Sequence, residues 1–120
     1  MIILLRGIAA ALLVCSAVAA NAHAFLDHAA PRVGETVRSA PPELRVWFTQ
    51  ELEPAFSAVK VLNAAGIRVD KSDTRVDATD PALLRVSLEA LGPGVYTVVW
   101  RVVSMDAHVT DGNFIFRVAQ

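Results

Sequence analysis

A chain of 120 residues with no internal repeat forms one small domain at most. Its net charge of −1 at pH 7 argues against nucleic acid as a partner. With a single cysteine, Cys15, it can form neither an internal disulfide nor a thiolate metal cage. Residues 1–22 read as a secretory signal peptide: Arg6 supplies the positive charge, Ile8 to Val14 form an apolar run, and small residues follow. That run is too short and wrongly flanked for a stable transmembrane helix. Three small-x-small frames permit cleavage: Ala17-Val18-Ala19, Ala20-Asn21-Ala22 and Ala22-His23-Ala24. They would leave Ala20, His23 or Phe25 at the new terminus, and the residues alone do not choose among them. Val14 is too large for the position before a lipoprotein cysteine, so Cys15 is expected to leave with the leader. Cleavage after Ala22 leaves residues 23–120, enough to bury an apolar core. Arg6 is one of 11 Lys+Arg against 12 Asp+Glu, so its loss takes the net charge from −1 to −2. Nothing beyond residue 22 is long and apolar enough to span a bilayer, and the mature domain is expected to be soluble and exported.

From His23 the pattern turns strand-like, with Phe25 and Leu26 ahead of Asp27 and His28, until Pro31 breaks the run. Gly34 and Pro41-Pro42 mark turns. Leu44, Val46 and Phe48 share one face of a strand by the two-residue period. After Pro54, residues 57–62 form another strand, with Val59 and Val61 opposite Ala58, Lys60 and Leu62. Asn63 to Gly66 is a hairpin turn and Ile67 to Val69 a short strand. Residues 70–82 are polar and carry Asp70, Asp73, Asp77 and Asp80. They lack the D-x-D-x-D-G register and closing Glu of a Ca²⁺ loop, so a solvated loop is expected. Leu84 to Leu88 alternates cleanly. After the turn at Gly92 to Gly94, Val95 to Val103 is the longest β run, with Tyr96, Val98, Trp100 and Val102 on one face. Gly112 to Val118 closes the chain. About seven short strands with turns between them and no useful amphipathic helix predict an all-β domain, a Greek-key β-sandwich or barrel of immunoglobulin-like shape.

The chemistry rests on three histidines, His23, His28 and His108. Asp106 and His108 sit two apart in the loop between the last two strands, and an extended backbone would place both side chains on one side. Taken alone, a hydrogen-bonded Asp–His pair that closes a loop accounts for them. His23 adds something different if it becomes the N-terminal residue. Its α-amine and imidazole could chelate one metal together, the amine having a pKa near 8. Otherwise it is an ordinary frayed terminus. Nitrogen ligands with a carboxylate suit Cu(II), which also heads the divalent affinity order. His28, an odd number of residues from His23, is expected to point the other way. Met105 is the one methionine left after processing, so no dedicated Cu(I) site is expected. No nucleophile elbow is present.

The start HAFLDHAAP, the run VWFTQELEPAFSAVKV and the segment GVYTVVWRVVSMDAHVTDGNFIFRV together resemble the periplasmic copper-resistance protein C (CopC) family. The strongest motif is W-R-V-V-S-x-D-x-H followed by G-x-x-x-F-x-V, Trp100 to Val118 here. The resemblance implies a CopC-like copper-binding domain over 23–120, a Greek-key sandwich holding one Cu(II) per chain in the periplasm. It implies His23, through amine and imidazole, with Asp106 and His108 as ligands. Family members often carry a supplementary carboxylate where Gln50 stands here, and Glu51, next along, is expected to face away. The methionine-rich Cu(I) loop of some members is absent. The resemblance implies copper tolerance, storage or delivery, with an inner-membrane copper transporter of the CopD type as partner. No fusion to it is expected in a chain ending at Gln120, and the domain is expected to be monomeric. A terminal histidine with a second histidine also resembles the histidine brace of copper oxygenases. Asp106 as a ligand would oppose reduction to Cu(I), so a non-enzymatic protein is expected. An immunoglobulin-like module without metal is the third reading that the fold leaves open.

Overall fold

The computed structural model describes residues 23–120; the leader expected over residues 1–22 lies outside them. Eight strands follow in order: β1 (Leu26–Ala30), β2 (Thr36–Val37), β3 (Glu43–Phe48), β4 (Ala58–Leu62), β5 (Arg75–Val76), β6 (Leu83–Ser87), β7 (Gly94–Val103) and β8 (Val109–Val118). They form two four-stranded sheets, β1-β3-β6-β5 and β2-β8-β7-β4. A single 3-10 turn, Pro54–Phe56, is the one helical element among the described residues. The expected all-β sandwich is therefore present, with two differences in its strand list. Residues 67–69 make an isolated bridge, Leu62 to Arg68, instead of a strand. Two-residue strands appear at the edges instead: β2 pairs parallel with β8, and β5 pairs with β6 inside the polar stretch. Two residues cannot display a period, so neither was visible as a pattern.

The alternation in the sequence becomes the core between the sheets. Leu44, Val46 and Phe48 of β3 and Leu84 and Val86 of β6 face Val59 and Val61 of β4. Tyr96, Val98, Trp100 and Val102 of β7 and Phe114, Phe116 and Val118 of β8 complete it. Fully burying each such side chain contributes roughly 1.5–3 kcal/mol of transfer free energy. Trp100 stands edge-on to Phe48 with ring centroids 5.1 Å apart, so it is a core residue. Its indole lies over Gly112, directly opposite on β8. A Cβ at Gly112 would meet Trp100 Cζ2 at 2.5 Å, so only glycine admits the ring.

The four aspartates of the polar stretch are occupied by protein donors, so the stretch is ordered by its own acids. Asp70 is buried and accepts from the amides of Val61 and Ser72 and from the Arg68 guanidinium. Because Val61 lies on β4 and Asp70 itself bridges to Leu88, this one carboxylate ties the two sheets together. Asp73 accepts from the amide of Ser87, and Asp80 from that of Ala82. Asp77 binds the amide and hydroxyl of Thr79 and also Arg85, which in turn reaches Glu43.

These contacts favour the ionised acids. Thr79, with Arg85 behind it, holds the Asp77 carboxyl down to about 2. Burial pushes Glu43 and Asp70 up, but Arg85 and Arg45 at Glu43, and Arg68 with two amides at Asp70, bring both below the ordinary range. A folded pKa below the unfolded one adds stability that is complete above the unfolded value and lost as pH falls through the folded one. Stability should therefore hold down to the ordinary carboxylate range near 4 and decline steadily from there toward about pH 2. Urea unfolding at a series of pH values checks this, and a stability that stays flat from about pH 4 to about pH 2 contradicts it.

Candidate metal centre

The site is assembled at one end of the sandwich from both ends of the described chain. Ala24 is fully buried and belongs to the core cluster, which pins the segment to the sandwich. The Thr110 hydroxyl, on β8, donates to the Ala24 carbonyl at 2.6 Å. Thr49 clasps the next residue twice: its amide donates to the Phe25 carbonyl and its hydroxyl accepts from the Phe25 amide, both at 2.9 Å. Two threonines thus fix His23 beside the tip of the β7–β8 hairpin. Neither stood out in the sequence, because a threonine in a β run is expected for propensity alone.

The hairpin tip brings the other two residues. Val103 pairs with Val109, the Ser104 amide donates to the His108 carbonyl at 3.0 Å, and the Ala107 amide donates to the Ser104 carbonyl at 2.8 Å. The loop is thus a tight turn over 105–107 whose last residue, Ala107, takes a left-handed φ of 68°. For a non-glycine residue that conformation costs about 1–2 kcal/mol. Asp106 and His108 therefore do not lie on an extended strand, as the two-residue spacing suggested. The turn sets them side by side instead.

The three expected residues are brought together as a chain of contacts. The rings of His23 and His108 lie 4.7 Å apart between centroids, at 62°. His108 Nδ1 is 3.3 Å from Asp106 Oδ1, and both side chains are about half exposed. The Ser104 hydroxyl donates to the same Asp106 oxygen at 2.5 Å. That bond first, and His108 second, hold the Asp106 carboxyl below the usual range, so it is an anion at neutral pH. Tying Nδ1 of His108 to a carboxylate orients the ring and leaves Nε2 for a ligand. No group of three or more His, Cys, Asp or Glu side chains is already converged on one point among the described residues. A metal here would draw the members inward. The donor set of two imidazoles and one carboxylate, without sulfur, fits Cu(II).

His28 and Glu51 complete the surroundings. His28 lies on the outer face of the other sheet, stacked on Trp47 at 4.3 Å and bonded to Asp27, away from His23 as anticipated. The Glu51 carbonyl accepts from the Met105 amide at 3.1 Å, so this residue is joined to the hairpin tip through its backbone. The backbone bends at Thr49 and Gln50, just before it.

Comparison with known proteins gives a coherent result. The CopC domain model matches residues 26–119. Protein YobA of Escherichia coli K12 is 35% identical over 98 residues, covering 81% of this chain and 79% of its own. The crystal structure of CopC from Methylosinus trichosporium OB3b superposes with a TM-score of 0.72 at 31% identity, covering 81% of this chain and 94% of that one. PcoC, a methionine-rich copper resistance protein from Escherichia coli, also superposes at 0.72 with 30% identity, covering 81% and 99%.

The placement of His23 depends on Thr110. Thr110→Val keeps the shape and removes the donor, which should cost about 1 kcal/mol or somewhat more of stability by leaving the Ala24 carbonyl unpaired. It should also weaken the proton–proton contacts between the His23 and His108 rings in NMR spectra. Contacts of wild-type strength in the variant would show that the segment is held by other means.

Proposed function

The chain belongs to the CopC domain family, and from that premise we propose that it is a periplasmic carrier of one Cu(II) ion, held by the amine and imidazole of His23, by His108 and by Asp106. Like relatives named for copper resistance, it is a copper-handling protein and not an enzyme. The observation that carries the ligand set is the approach of the His23 and His108 rings to 4.7 Å from opposite ends of the chain.

Removal of the leader after Ala22 would free the α-amine of His23. With a pKa near 8, that amine gives up its proton to Cu(II) at modest cost, and its own imidazole closes the chelate. His108 adds a third nitrogen, and Asp106 adds a carboxylate oxygen that also balances charge. Their high solvent exposure lets the ion enter, and leave toward a partner, without opening the fold. The receiver on this reading is an inner-membrane copper transporter of the CopD type, met by a monomer. No helix among the described residues is long and apolar enough to cross a membrane. Met105 alone offers too little soft-ligand character for a separate Cu(I) site.

Native mass spectrometry of the exported protein should find a chain that starts at His23 and retains one copper. His23→Ala and His108→Ala should each weaken Cu(II) by more than the roughly 10–100-fold that loss of an outer partner costs. Unchanged affinity in both variants would sink the assignment, as would a mature chain that begins at Ala20 or Phe25.

A further inference from the structure

Ser104 is polar, yet only 1% exposed, at the point where β7 enters the turn. Its neighbours explain a buried backbone there: it bridges to Leu52, which is itself buried, and follows Val102 in the core. They do not explain a hydroxyl, which is costly to bury unless bonded. A serine hydroxyl has one proton and two lone pairs. Among its acceptors are Asp106 Oδ1 at 2.5 Å and the His108 carbonyl at 3.3 Å. The short, charge-assisted bond to the carboxylate takes the proton. A lone pair then accepts the His108 amide at 3.3 Å. One buried oxygen thus touches both residues of the exposed pair.

The bonds also converge on Asp106. Ser104 Oγ and His108 Nδ1 both meet the same oxygen, Oδ1. We infer that Ser104 is a positioning residue for the metal centre, anchoring the Asp106 carboxylate beside His108 from a buried hydroxyl. Without the hydroxyl, the carboxylate can turn about its own axis and swing away from the exposed turn. His108 then loses the partner that fixes its ring. The inference rests on the copper reading above and adds a residue that touches no metal.

The test uses the exported protein, Cu(II) as probe, and three readouts: affinity, the Cu(II) electron paramagnetic resonance spectrum, and amide hydrogen exchange of His108 in the copper-free protein. Ser104→Ala should weaken Cu(II) roughly 10–100-fold, as loss of an outer-shell partner does. It should also alter the resonance spectrum and speed His108 exchange. Ser57→Ala is the control. Ser57 is another buried serine, clasping Val103 on the same strand through its hydroxyl but making no contact with Asp106. It should lower stability and leave affinity and spectrum at wild type. Ser104→Thr keeps the hydroxyl and should stay close to wild type in all three readouts. In the Asp106→Asn background, Ser104→Ala should add little further loss, because the hydroxyl acts through that carboxylate.

Wild-type affinity and spectrum in Ser104→Ala would overturn the inference while leaving the copper reading intact. So would a loss in Ser104→Thr as large as in the alanine variant, or full additivity with Asp106→Asn. Failure of the wild-type protein to bind Cu(II) would overturn the copper reading and this inference with it.

Discussion

The β7–β8 ladder is the interaction on which the rest of the molecule depends. Ten consecutive residue pairs, from Gly94–Val118 to Val103–Val109, run unbroken through the sandwich. Register in such a ladder is self-enforcing, because a slip of one residue would turn Tyr96, Val98, Trp100 and Val102 from the core to solvent. The Trp100–Gly112 contact sharpens that constraint, since the indole finds space opposite only one residue of β8. With the register fixed, the position of the turn at the far end is fixed too. Asp106 and His108 inherit their placement from a core that lies several residues away.

The same ladder delivers the other half of the site. Thr110 is the second residue of β8, and its hydroxyl captures a carbonyl 86 positions earlier in the chain. Thr49, just beyond β3, captures the following residue. The two sheets thus meet at the N-terminal segment, one through each threonine. His23 itself needs no packing of its own to be held near His108. Ala24 serves this arrangement by being small enough to vanish beneath the segment.

Much of this was legible in the amino-acid sequence, and the boundary of legibility has a physical cause. Wherever apolar residues alternate over five or more positions, as in β3, β6 and β7, both strand and buried face follow from the period. The juxtaposition of Asp106 and His108 was also foreseen, though from an extended backbone that the turn replaces. The left-handed Ala107 was hidden, because alanine carries none of the turn signal that glycine or asparagine would give. The clasping hydroxyls of Thr49 and Thr110 were invisible because their partners are backbone groups brought near by folding, and Ser104, though spelled out in the motif, gave no sign there of what its hydroxyl bonds. Sequence reading finds groups with distinctive chemistry; it misses the ordinary residues that aim them.

That division also bears on how a small carrier can hold a metal and still release it. Burying the ligands would strengthen every charge interaction and seal the ion behind the fold. Here the proposed ligands stay half exposed, and the rigidity is supplied from beneath by residues that are not ligands. Ser104 and Ala24 are almost wholly buried, and both belong to ladders or clasps that the core stabilises independently. On the proposed reading the ligands are held near one another without being buried, so an ion can reach His108 and Asp106 directly. The strained Ala107 fits the same logic. A turn that costs about 1–2 kcal/mol persists only because the ladder below and the hydroxyl beside it over-determine it. The site's precision therefore comes from the hairpin, while its accessibility comes from sitting at the hairpin's tip.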